Sequence, residues 1–247
     1  MIDKVQLAGH SFSFHILESH AWWVRETVNL SWEPILLQAL SESLRPGDTF
    51  LDIGSWIGPY AVLASKLVTE SGKVYACEPD PIARELLLKN VAENGCTNVT
   101  VLGNAVSDRD GPILLTKGQE LGDSNTSIAT SSSAETFQVE GISLKTLCLK
   151  HAIKPDVIKM DAEGAEEKII RGAGRALVET RAMFIEVHRH QLAFQGVSAE
   201  QFIGMATIMS GMRCNIIEDA PYTATAAFSR PAKAASDTKS GLATVTG

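Results

Sequence analysis

Five places in this 247-residue chain set polar side chains at the ends of apolar runs. In an open α/β sheet, those carboxyl ends are where ligands bind. The first runs Thr49-Phe50-Leu51-Asp52-Ile53-Gly54-Ser55-Trp56-Ile57-Gly58, an apolar strand entering an acid and two glycines before a helical pattern. Glycines there permit positive φ and close backbone approach, and the following helix start offers unpaired N–H groups. A dinucleotide fingerprint needs a second glycine to let a pyrophosphate touch backbone. Trp56 occupies that position. The turn therefore suits an adenosine cofactor without phosphate, such as S-adenosylmethionine, better than NAD.

The remaining four ends are Glu78, Asn104-Ala105, Asp161-Ala162-Glu163-Gly164, and Glu186 with His188. Glu78 follows Gly54 by 24 residues, near the offset at which an acid reaches ribose hydroxyls. It could equally serve as an anion near the helix start at Pro81. Lys159 and Asp161 share one face of a strand, and a lysine inside a central strand demands a partner, which Asp161 or Glu186 can supply. That pair also reads as a buried structural ion pair. His188 is the general base by type, because an ordinary imidazole titrates near neutral pH, and Glu186 on the same face can orient it. A histidine simply satisfied at a strand end is the competing reading. Glu163 divides between substrate contact and capping, and Glu166 reads as structural. A divalent ion could recruit Asp161, Glu163 and Glu186, but their spacing assigns no metal ligands.

The elements that must position these groups alternate. Strands over 49–53, 73–77 and 99–102 alternate with helices over 59–69 and 81–94, a βαβ pattern that predicts a parallel sheet. Asp80 is a good N-cap, Pro81 fits the first helical position, and Gly95 suits a left-handed cap. Before them, Val5, Leu7, Phe12, Phe14 and Ile16 flank Gly9-His10 as a short hairpin, and Pro34 starts a helix stopped by Pro46-Gly47. After them, Gly118 to Ser133 reads as a loop on a hairpin, rich in Ser, Thr, Gly and Asn. Strands resume at Val157–Met160 and Met183–Val187, with a short helix between, and a last pair near 214–217 and 225–228 finishes the sheet. From Pro231 large apolar groups almost vanish, which predicts a disordered tail.

At 45% hydrophobic and 21% charged, the composition is that of a globular domain. One domain over 1–230 is expected, with 1–45 as a cap, 46–230 as the core and 231–247 as the tail. A net charge of -7 leaves no footprint for nucleic acid or an anionic membrane. No apolar run reaches membrane-spanning length and no signal peptide opens the chain, so the expectation is a cytoplasmic protein. Cys77, Cys96, Cys148 and Cys214 form no C-x-x-C pair and read as buried free thiols.

Taken together, Pro46-Gly47-Asp48, the Asp52 to Gly58 turn, Glu78-Pro79, Asn104-Ala105-Val106-Ser107, Thr146-Leu147 and Lys159-Met160-Asp161-Ala162-Glu163-Gly164-Ala165-Glu166 resemble the FkbM-type family of class I S-adenosylmethionine-dependent methyltransferases. The motifs span about residues 33 to 188. Two departures are Trp56, where a small or amide residue is usual, and Cys148, where an aspartate follows Thr-Leu. The resemblance implies a doubly wound Rossmann-like sheet, mostly parallel with an antiparallel last strand, plus an N-terminal hairpin and helix extension. It implies Asp52, Gly54, Ser55 and Gly58 around the methionine part, Glu78 at the ribose, Asn104 and Ala105 at the adenine, and Asp161 nearby. The implied reaction is O-methylation of a small molecule such as a sugar or natural-product scaffold. A non-catalytic binding module and an NAD-dependent oxidoreductase are the alternatives.

Overall fold

A computed structural model describes residues 1–118, 121–128 and 135–231. The chain opens with an antiparallel hairpin, β1 (Ile2–Leu7) and β2 (His10–His15), followed by helices α1 (Ala21–Val28) and α2 (Pro34–Ser43). Alternation then begins with β3 (Thr49–Ile53), α3 (Pro59–Val68), β4 (Lys73–Cys77), α4 (Pro81–Glu93) and β5 (Val99–Leu102). Proline opens α2, α3 and α4, where its missing N–H costs nothing. The Asp80 side chain caps α4 by accepting from the amides of Ile82 and Ala83, and Gly95 beyond its end has φ +63°.

Strands β6 (Ala105–Ser107), β7 (Gly111–Thr116), β8 (Ser127–Ile128) and β9 (Thr136–Ser143) form a separate four-stranded sheet in the order β6-β9-β7-β8. The predicted hairpin is its β7–β9 pair, and of the loop between them residues 118 and 121–128 are described. Helix α5 (Leu144–Lys150) leads to β10 (Val157–Met160), and α6 (Glu166–Arg171) and α7 (Ala176–Glu179) lead to β11 (Ala182–His188). Helices α8 (Arg189–Phe194) and α9 (Ala199–Ser210) precede β12 (Arg213–Asp219) and β13 (Thr223–Ser229).

The main sheet has seven strands in the order β12-β13-β11-β10-β3-β4-β5. Neighbours from β11 to β5 pair in parallel, while β13 inserts antiparallel between β11 and β12. The expected antiparallel last strand is thus β13. Strand β10 is buried at all four positions, as a central parallel strand covered on both faces must be. One apolar cluster joins that sheet to α5, α6, α7 and α9 through Leu147, Ile169, Leu177 and Phe202. The other joins its opposite face to α3, α4 and the N-terminal extension through Leu63, Leu87, Phe14, Trp23 and Leu40. The extension therefore shares the core of the sheet. No described helix is long and apolar enough to cross a membrane.

Candidate active site

The order reversal between β3 and β10 opens a crevice at the strand ends, and the Asp52 to Gly58 turn is folded into it by backbone bonds. Amides of Gly54 and Ser55 both donate to the Cys77 carbonyl, at 3.0 and 3.1 Å. Gly54 has φ +76°, and a Cβ there would lie 1.7 Å from the Asp161 carbonyl oxygen. Only glycine allows β3 and β10 to approach this closely. Trp56 also adopts a left-handed conformation, φ 48°. Its amide donates to Glu78 Oε2 at 2.7 Å, and its indole N–H donates to the Gly122 carbonyl at 2.9 Å. The departure at Trp56 thus anchors the segment around Gly122 over the site.

Glu78 accepts a second amide, that of Asp80, through Oε1 at 2.8 Å. Glu78 thus ties the turn to the start of α4, and its carboxyl oxygens keep lone-pair capacity for further hydrogen-bond donors. Burial pushes its pKa up to about 8, against the pull of those two amides. Asp80 has two tasks as well. One oxygen caps α4, and the other accepts from the Gly122 amide at 2.9 Å and the Thr126 hydroxyl at 3.1 Å. Asn104 and Ala105 line the same cavity, with the Asn104 amide donating to the Glu140 carbonyl.

Lys159 lies beneath the turn. Its Nζ is 3.2 Å from the Gly54 carbonyl, 3.3 Å from Asp161 Oδ2 and 3.9 Å from Asp52 Oδ1, and sits over the Tyr60 ring at 4.9 Å. Burial opposes its charge, but Asp161, Asp52, Glu33 and Glu186 outweigh it and hold the ammonium protonated. The partner set is Asp161 with Asp52. Asp52 is fully buried, neither carboxylate oxygen has a hydrogen-bond partner among the described residues, and burial raises its pKa to about 6.

His188 departs from the sequence expectation. Its Nδ1 meets Glu166 Oε1 at 2.8 Å, while Nε2 lies 3.5 Å from Glu163 and 3.7 Å from Asp161. Burial alone would lower its pKa, yet the bonds to Glu163 and Glu166 and the nearby charges raise it to about 12. The carboxylates around it thus favour the protonated imidazolium. Glu166, fully buried, orients it in place of Glu186. Glu186 itself is pushed up to about 8, first by burial and then by Asp161. Asp161, Glu186 and His188 bring one ligand atom each within 4.8 Å of one another, a spacing that could hold a metal ion. A metal on His188 Nε2 would have to displace the imidazolium proton.

One cavity of about 400 Å³, suited to a small ligand, is lined by most of the predicted site residues, whereas Asp52 and Gly58 lie outside its lining. Gly54, Glu78 and Asn104 lie along it with Trp32, Glu33, Tyr60, Glu186 and His188. Trp32 and Glu33 come from the N-terminal extension, which sequence reasoning gave no site residue. Pro34 marked the helix, but no local pattern says that its cap faces the sheet end. Cys148, on α5, is buried in the core and is not part of the cavity lining. Cys77 is buried too, whereas Cys96 and Cys214 are only half-buried.

Residues 52–215 match the family model for the methyltransferase FkbM domain. Hexuronic acid methyltransferase AglP of Haloferax volcanii is 26% identical over 188 residues, 76% of this chain and 74% of that one. The probable cobalt-precorrin-6B C(15)-methyltransferase (decarboxylating) of Sulfolobus acidocaldarius is 44% identical over 78 residues, 31% of this chain and only 41% of that protein. Among solved structures, a T. thermophilus 16S rRNA methyltransferase (RsmC) in complex with AdoMet and guanosine superposes with a TM-score of 0.50 at 13% identity. That match covers 94% of this chain and 50% of the other, and it speaks for the fold alone. The sheet is that of a class I S-adenosylmethionine-dependent methyltransferase, and the chain belongs to the methyltransferase FkbM domain family.

Proposed function

We propose that this protein transfers the methyl group of S-adenosylmethionine to a hydroxyl oxygen of a small sugar-like or natural-product ring. The observation that carries the reading is one cavity with Glu78 toward the glycine turn and Glu186 beside Asp161 and His188 at the ends of β10 and β11. Bound S-adenosylmethionine supplies an electrophilic methyl on a sulfonium. The residues fit it: Glu78 has acceptor capacity for ribose hydroxyls, and Asp52, buried without a hydrogen-bond partner, adds negative charge beneath the turn. Gly54, Ser55 and Gly58 keep the turn close around the methionine part, and Asn104 and Ala105 border the adenine. Residues 1–230 act as one domain, with 1–45 as the cap that completes the acceptor pocket.

Methyl transfer needs alignment and removal of the hydroxyl proton. Glu186, with a pKa near 8, takes that proton, because a base tuned close to working pH is the most effective. His188 as imidazolium and Asp161 fix the charges around it. The similarity to a hexuronic acid methyltransferase over three-quarters of the chain supports a sugar hydroxyl. Calorimetric titration with S-adenosylhomocysteine and with NAD tests the cofactor, and binding of NAD alone would overturn the reading. Labelled S-adenosylmethionine with a panel of glycosides, polyketides and phenols then separates an enzyme from a non-catalytic module. Transfer to nitrogen or carbon rather than oxygen would sink the O-methylation reading.

A further inference from the structure

The cavity is walled by aromatic rings and carboxylates, and its cations are already used. Trp32 and Tyr60 rings lie 5.2 Å apart, Trp22 and Trp56 stack at 6.4 Å with 20° between planes, and the Tyr60 hydroxyl donates to Glu33. Lys159 and His188 are the lysine and histidine that line the cavity among the described residues, and no arginine does. The lysine is held by Asp161, Asp52 and the Gly54 carbonyl. The imidazolium is held by Glu166, Glu163 and Asp161. Glu33 and Glu186 make no ion pair within 4 Å among the described residues, so either of them, once ionised, is negative charge that no cation of the lining pairs. A bound sulfonium offsets one of the two.

We propose, resting on the sugar-hydroxyl reading above, that the acceptor is a neutral or amine-bearing polyhydroxylated ring held against the tryptophan faces, and that rings carrying a carboxylate or phosphate are refused. Tryptophan offers an apolar face to ring C–H groups and a negative face to an ammonium. Carboxylates accept from hydroxyls and ammonium groups alike but can offer an anion no donor while ionised. This sets the chain apart from a relative whose name specifies hexuronic acid.

The test uses the full chain saturated with S-adenosylhomocysteine at about pH 8.5, where Glu33 and Glu186 are mostly ionised, and three methyl hexopyranosides differing only at the exocyclic carbon, as alcohol, aminomethyl or carboxylate. Calorimetry reads the binding of each. The alcohol and amine are expected within about tenfold of each other, and the carboxylate at least about 100-fold weaker, since like-charge juxtaposition is strongly disfavoured. Glu33→Gln and, separately, Glu186→Gln should each narrow that gap about tenfold or more. A carboxylate that binds as well as the alcohol, or a gap unmoved in both variants, overturns the inference and leaves the sugar reading standing. If none of the three binds while S-adenosylhomocysteine does, the sugar reading falls and takes the inference with it.

Discussion

At the scale of single residues, the site turns on carboxylates made weak acids by burial. Glu78 accepts two backbone amides, one through each oxygen. Glu78→Gln keeps one acceptor and turns an amide N–H₂ toward the other donor, leaving a buried N–H unmade at a cost of about 1–3 kcal/mol. Because the ribose hydroxyls also lose a carboxyl acceptor, calorimetry should show S-adenosylhomocysteine binding about 5- to 100-fold weaker. Unchanged affinity would remove Glu78 from the cofactor site. His188 is a positioning group, and its test is a pH profile. The imidazolium lowers the pKa of Glu186, so His188→Gln should let it rise, moving the rising limb of turnover to higher pH while donor binding stays nearly intact. A limb that stays in place would take Glu186 out of the base role. The sequence named His188, Asp161 and Glu186 as neighbours at strand ends, and they are neighbours. What it did not place beside His188 is Glu166, 22 residues away, which comes under the imidazole from α6, a contact no local spacing encodes.

At the scale of elements, the turn after β3 and the Gly122 segment behave as a coupled pair. Gly54→Ala should abolish folding of the site, because its methyl would meet the Asp161 carbonyl at 1.7 Å from a backbone already at φ +76°. Circular dichroism and S-adenosylhomocysteine binding would register the loss, and a variant that binds normally would refute the packing argument. Asp80→Ala removes the α4 cap together with the bonds from Gly122 and Thr126, and about 2–4 kcal/mol of stability should go with them. Trp56→Phe deletes the indole bond to Gly122 and trims the ring that packs on His20, Trp22 and Trp23, so hydrogen exchange should quicken around residues 121–128 with global stability lowered by about 1–3 kcal/mol. What was legible among the elements followed local chemistry. Asp80, Pro81 and Gly95 announced α4, and apolar runs announced β3, β4 and β10. The four-stranded side sheet was not legible, because β6 has three residues and finds its partner β9 more than thirty residues later. Helix α9 was hard to read as well, because Gly204 lies in its middle and Ile208 is 82% exposed, although its Ser198–Gln201 capping box is a local signal.

At the scale of the whole molecule, buried ionisable groups tie stability to pH in one direction. Glu78 has a folded pKa of about 8 against an ordinary 4.5, because burial favours the neutral acid. Its contribution is fully present below about pH 4.5 and is lost as pH rises through about 8. Glu33, raised to about 7 by burial, and Glu186, raised to about 8, act in the same sense. His188 is raised from 6.5 to about 12 by its carboxylates, so its contribution is present below about 6.5 and also declines as pH rises. The groups held low, Glu85, Asp110 and Glu200, are solvent-exposed and screened, so they oppose this only weakly. Thermal unfolding should therefore shift steadily to lower temperature between about pH 6 and pH 9. Glu78→Gln should unfold at a lower temperature at pH 6 and lose less on going to pH 9, since the titrating group is gone. Saturating S-adenosylhomocysteine should raise the midpoint at every pH if it binds only the folded chain. A midpoint that rises from pH 6 to pH 9 would mean these acids are ionised and compensated in the folded protein, and would remove the weakly acidic base on which the proposed transfer depends.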